Sequence, residues 1–139
     1  MSDLELAKRS LLGDSSLSVV LVKDGKILAK RTEKGIIPIL SIIEDMKTKL
    51  DGASIADKVL GKAAAVLSYN AGIKHFFAKV ISERALKYLE QKGAYVEKGK
   101  VVQYILNREQ TDLCPIEKLT GDSEDPVELT RKIRAFLRI

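Results

Sequence analysis

Ala56-Asp57-Lys58-Val59-Leu60-Gly61-Lys62-Ala63-Ala64-Ala65 is the stretch that decides how this chain folds. Gly61-Lys62 opens a helix that is apolar on every side from Ala63 to Leu67, the pattern of a helix enclosed within a domain. Its alanines are small enough to let a sheet approach closely, and Asn70-Ala71-Gly72 supplies a stop. An enclosed helix needs close neighbours. Downstream, His75 to Ile81 predicts a strand, apolar at Phe76, Phe77, Ala78, Val80 and Ile81. Ser82 can then cap a helix whose stripe includes Ala85, Leu86 and Leu89 and which ends at Gly93.

Upstream, Leu17 to Lys23 and Lys26 to Arg31 read as two strands joined at Asp24-Gly25, a pair that readily takes the positive φ angles of a type I′ turn. Leu4, Leu6, Ala7, Leu11 and Leu12, interleaved with charges, predict a short amphipathic first helix ending at Gly13. Ile36, Ile39, Leu40, Ile43, Met46 and Leu50 wind into one helical stripe, widened by Ile37 and Ile42, with Pro38 tolerated in the first turn. Asp51-Gly52-Ala53-Ser54 ends that helix and begins a connection. Ala94 to Glu97 and Val101 to Leu106 form an apolar pair around Lys98-Gly99-Lys100, at least one member of which is a strand. Asp125-Pro126 with Glu128 opens the last helix, which carries Leu129, Ile133, Phe136 and Leu137 on one side. The order helix, hairpin, helix, buried helix, strand, helix, strand, helix, helix predicts an α/β three-layer sandwich.

At 139 residues with 45% hydrophobic content, one domain spanning residues 1–139 is expected, with a core of Ile, Leu, Val and Ala since aromatics are only 5%. The Lys/Glu/Arg-rich surface and the scarcity of Asn and Gln are favoured by hyperthermophile proteins, which points to a thermophilic source. A net charge of +5 attracts anions in general. The densest basic cluster, Arg131, Lys132, Arg134 and Arg138, lacks aromatic stacking companions, so it reads as a solvated helix face rather than a nucleic-acid footprint. The single cysteine excludes an internal disulfide framework and fits a reducing cytosol. No apolar run approaches the ~20 residues that span a bilayer, and Met1-Ser2-Asp3-Leu4-Glu5 has the wrong charges for a signal peptide, so the expected location is the cytoplasm.

A second segment, Cys114-Pro115-Ile116-Glu117-Lys118, also reads as a helix opening. Zinc deaminases place His-x-Glu at the start of one helix and Pro-Cys-x-x-Cys at the start of the next, the His and both Cys holding the metal while the Glu moves the proton. With Lys62-Ala63-Ala64 in the first place and Cys114-x-x-Glu117 in the second, this chain offers a lysine, one thiol and one carboxylate, which is no zinc ligand set. From Leu17 to Leu119, and most closely at Ala56 to Ala65 and Cys114 to Lys118, the chain resembles a small prokaryotic family of unknown function with a cytidine-deaminase-like fold. The resemblance implies a mixed sheet of four or five strands flanked by helices on both faces, and it implies no activity and no cofactor.

Converging helix N-termini favour anions, because unpaired N–H groups and the helix dipole both point outward there. Lys62 adds a full positive charge. A Walker A loop is excluded: it requires Gly where Ala56 stands and Ser or Thr where Ala63 stands. Cys114 at a helix start, with Lys62 nearby, is a candidate activated thiol, set against a small buried hydrophobe that caps its helix. His75, the sole histidine, is not spaced with Cys114 as a known dyad. Glu117 in a first turn ordinarily complements its own helix dipole and is also a candidate partner of Lys62, and Asp57 reads as a turn residue, a salt-bridge partner of Lys58 or Arg84, or a partner of Lys62.

Three functions follow. The first is a binding module without zinc chemistry that holds a small anionic or nucleoside-type ligand around Asp57, Gly61, Lys62, Cys114 and Glu117. The second is a metal-independent enzyme using Cys114 or Lys62. The third is a structural domain that forms homo-oligomers through the Ile-rich helix from Ile36 to Leu50.

Overall fold

The computed structural model describes residues 1–107 and 109–139. Its first helix, α1 (Asp3–Leu12), is capped by the Ser2 hydroxyl, which accepts from the Glu5 N–H. The hairpin follows as β1 (Val19–Lys23) and β2 (Lys26–Arg31), with Asp24 and Gly25 at φ 52° and 74°, the left-handed pair that the Asp-Gly sequence predicted. Helix α2 (Ile37–Asp45) is shorter than the expected stripe. Its main chain turns away after Asp45, and Leu50 reaches the core from the turn beyond the helix.

The connection expected at Ser54 is instead a strand, β3 (Ser54–Leu60), at the centre of the sheet. Its alternation is masked in the sequence because it buries polar side chains: Ser54 and Asp57 are both enclosed, and Ala56 carries little hydrophobic signal. Helix α3 (Lys62–Asn70) is buried from Lys62 to Ser68, as its all-round apolar character required. Then come β4 (His75–Ser82), α4 (Glu83–Gln91) with Ser82 accepting from the Ala85 N–H, and β5 (Tyr95–Val102). At least one of the apolar segments on either side of Lys98-Gly99-Lys100 was expected to be a strand, and a single strand, β5, runs through the intervening residues. Gly99 is required there, since a Cβ would lie 2.5 Å from the Lys79 carbonyl oxygen of the neighbouring strand. The chain ends in α5 (Pro115–Thr120) and α6 (Pro126–Leu137), the latter capped by the Asp125 carboxylate on the Val127 and Glu128 N–H groups.

The five strands lie in the order β2-β1-β3-β4-β5. β1 is antiparallel to both β2 and β3, whereas β3, β4 and β5 are parallel and joined by helical crossovers, so the sheet is mixed. One face carries the main core, in which Ile39, Ile42, Val66, Leu89, Leu129 and Ile133 from four helices meet Ile55 and Phe76 from the strands. The other face is covered by α1, whose Leu4, Ala7 and Leu11 pack on Val20, Val22, Ala56 and Phe77. This is a three-layer α/β/α sandwich with a mixed five-stranded sheet, the architecture that the deaminase-like reading implied. The isoleucines of α2 are spent inside it: Ile39 and Ile42 are buried and only Ile37 is substantially exposed.

Candidate functional site

The parallel register sets the site. Leu60 pairs with Ile81, so the segments that follow, Gly61 and Ser82, leave the sheet side by side and start α3 and α4 at the same edge. Two helix N-termini therefore converge beyond the carboxyl ends of β3 and β4, where open α/β sheets place their ligands. The helix that follows α3 directly is α4; Cys114 opens α5, two helices on, and reaches α3 by packing.

That packing is carried by Glu117. Its carboxylate leaves the first turn of α5 and crosses to α3, where Oε1 accepts from the Lys62 backbone N–H at 3.3 Å. It therefore complements the dipole of a neighbouring helix. Gly61 makes the approach feasible, because a Cβ at that position would stand 2.9 Å from the same oxygen. The other oxygen, Oε2, faces Arg84 Nη2 at 3.3 Å, and Arg84 also donates to the main-chain oxygens of Glu117 and Gly121, at 3.0 and 2.7 Å. Arg84 lies in the first turn of α4 and was not foreseen as part of this site. No local signal marks it, since it stands 33 residues from Glu117.

Lys62 is 7% exposed, not the solvated residue its position at a helix start would ordinarily give. Its Nζ lies 3.7 Å from Glu124 Oε2, on the loop between α5 and α6. Cys114 is half-buried and is the N-cap residue of α5, but its side chain makes no capping hydrogen bond. Its backbone N–H donates to the Ile105 carbonyl at 2.9 Å, and Ile105 in turn lies against Gly61, so the cysteine is separated from the start of α3 by one side chain. His75 opens β4 at the opposite edge of the sheet, six strand residues and about 20 Å away, so no histidine serves the thiol.

Asp57 belongs to β3, and none of its sequence-level roles as turn residue or ion-pair partner is realised. It is buried, accepts from the Val59 N–H at 3.1 Å, and among the described residues forms no ion pair with Lys62, Lys58 or Arg84 and no side-chain hydrogen bond with Cys114 or Glu117. Burial pushes its carboxyl up to about 7, against the lowering effect of the Val59 and Lys58 N–H groups. The donor chemistry does not fit zinc: the Glu117 carboxylate is engaged by a backbone amide and a guanidinium, and Cys114 is the chain's one thiol. Among the described residues, no three His, Cys, Asp or Glu side chains group as a metal site. Nor is any described helix long and apolar enough to cross a membrane.

Fold and site together define an α/β/α sandwich in which an internal carboxylate joins two helix N-termini at the carboxyl edge of the parallel strands. The chain belongs to the DUF1893 family (TM1506), a domain of unknown function, which it matches over residues 7–137. Among solved structures it is similar to the DUF1893 family protein TM1506 from Thermotoga maritima, with 26% identity, a TM-score of 0.85, and coverage of 97% of this chain and 90% of that one. The apo dCMP deaminase from the cyanophage S-TIM5 aligns at 20% identity and a TM-score of 0.46, over 59% of this chain and 79% of that one. No curated protein matches the sequence.

Proposed function

We propose that the domain is a binding module for a small anionic ligand at the N-terminus of α3, with Glu117 as the intramolecular occupant that such a ligand replaces. One observation carries the reading: a carboxylate already sits on the Lys62 N–H, held by Arg84 and admitted by the missing side chain of Gly61. An edge of the molecule that binds one carboxylate has the N–H groups, the guanidinium and the ammonium to bind another anion of similar size. Lys62 supplies the charge that an incoming ligand adds to the balance, because its present partner Glu124 is half-exposed and 3.7 Å distant. Asp57, buried in the strand that leads to Gly61, supports the site through the sheet and Cys114 through Ile105. Among the described residues no contact in the site selects a base, so the proposal is for the anionic group and not for a nucleoside.

A thermal-shift screen with inorganic phosphate, nucleotides and phosphorylated sugars tests it. An anion at about 100 times its dissociation constant should stabilise the protein by about 3 kcal/mol, a readily measured rise in melting temperature. Glu117→Ala should bind the same anion more tightly, and Lys62→Ala should bind it less tightly. If no anion raises the melting temperature of either the wild type or a folded Glu117→Ala protein, the reading is wrong.

A further inference from the structure

A second surface lies away from this site, between α2 and α6. The two helices flank the C-terminal end of α3 and leave an open groove of about 580 Å³ between them. Leu40 and Ile43 of α2, Leu67 of α3 and Val127 of α6 provide an apolar floor and lip, and Val127 is 78% exposed.

The rim is cationic. Lys47, Arg131 and Arg134 face one carboxylate, Glu44, and Arg134 already engages it at 2.8 Å. Lys47 and Arg131 are exposed and form no ion pair among the described residues. One wall presents Leu40 and Ile43 of α2 with Lys47 on the turn beyond it, and the other presents Val127, Arg131 and Arg134 at the helical spacing of α6. An open trough between two helices, apolar along its floor and positive along its edges, is the complement of an amphipathic helix with an apolar stripe and acidic flanks. Among the described residues no aromatic side chain lines it, so a nucleic-acid strand would find charge without a stacking surface.

We propose that the α2–α6 groove docks an acid-flanked amphipathic helix of a partner protein. The probe is a fluorescein-labelled peptide of about four helical turns, with leucines on one face and glutamates elsewhere, compared by fluorescence anisotropy with a twin carrying lysines for the glutamates. The glutamate peptide should bind at least about tenfold more tightly than its twin, with an affinity that falls as salt rises. Val127→Asp and Arg131→Glu, both at exposed positions that leave the core untouched, should each weaken it by about tenfold, and Lys23→Glu on the distant hairpin should not. The proposal is overturned if the two peptides bind alike or not at all, or if the groove variants bind as the wild type does. It is also overturned if a labelled single-stranded oligonucleotide binds in their place, or if light scattering shows a dimer that Val127→Asp dissociates, which would make a second copy the occupant.

Discussion

Asp57 is the residue whose chemistry is most altered by the fold. Enclosed in the central strand with the Val59 and Lys58 backbone amides for partners, its carboxyl is pushed up to about 7 from an ordinary 3.8 by burial. The folded state therefore holds this proton where the unfolded chain has released it. The stability it contributes is complete below about pH 4 and is lost as the pH rises to about 7, by on the order of a few kcal/mol. Asp57→Asn keeps an acceptor for the Val59 N–H and removes the titration. Urea denaturation at pH 5 and pH 8 should show the wild type losing stability between the two and the variant losing much less, and parallel profiles would refute the assignment. Glu117 is a buried carboxylate held by a backbone amide and a guanidinium. Glu117→Ala leaves the Lys62 N–H and the Arg84 guanidinium without their acceptor and should cost about 1–3 kcal/mol in urea denaturation. The sequence showed that Gly61, Lys62 and Glu117 belong to helix openings, because capping chemistry is local. It could not show that the Glu117 carboxylate crosses to a different helix, nor that Arg84 holds it, because those contacts join residues 55 and 33 positions apart.

The same division between local and distant causes governs the elements. The hairpin, α3, β4, α4 and α6 were legible because each carries its own signal: a left-handed Asp-Gly turn, an all-round apolar helix, serine and aspartate caps. β3 was not, because a central strand flanked on both edges can enclose Ser54 and Asp57, and its polar letters read as a connection. β5 was legible in part, since the apolar residues flanking Lys98-Gly99-Lys100 announce a strand, whereas its continuity through Gly99 depends on the close approach of β4. α5 is the element with the least stability of its own, since its six residues are too few to offset the cost of starting a helix. Its attachment rests largely on Arg84, which grips the segment at Glu117 and Gly121. Arg84→Met keeps the aliphatic stem and removes the grip, so α5 should loosen while the sheet persists. Limited proteolysis should then cut between residues 103 and 125 well before the rest of the chain, and hydrogen exchange should quicken there alone. A variant as resistant as the wild type throughout would mean that the apolar contacts of Ile116 and Leu119 suffice.

At the scale of the whole molecule, the two faces of the sheet are covered unequally. The main face has α2, α3 and α4 against it, with α5 and α6 stacked on α3, and the opposite face depends on α1. Both layers are legible in the sequence, since the first helix is plainly amphipathic and the third plainly enclosed, but their unequal weights come from packing that no single segment encodes. α1 is bound into the fold by more than its apolar stripe. The Asp3 carboxylate accepts from the Asp24 and Gly25 N–H groups at the hairpin turn, and Lys8 pairs with Glu97 on β5, so the helix is fixed to both sides of the sheet. If α1 is an integral layer, a cavity beneath it weakens the entire molecule in one transition. Leu11 is fully buried there against the strands, and Leu11→Ala should lower the free energy of unfolding by about 2–5 kcal/mol with the urea dependence unchanged. Leu12→Ala, one position along and 49% exposed, should cost no more than about 0.5 kcal/mol. A shallower or two-step transition in Leu11→Ala would mean that α1 detaches first and that the main face with its helices folds as a separate unit, because a helix that unfolds by itself removes its own surface from the cooperative transition.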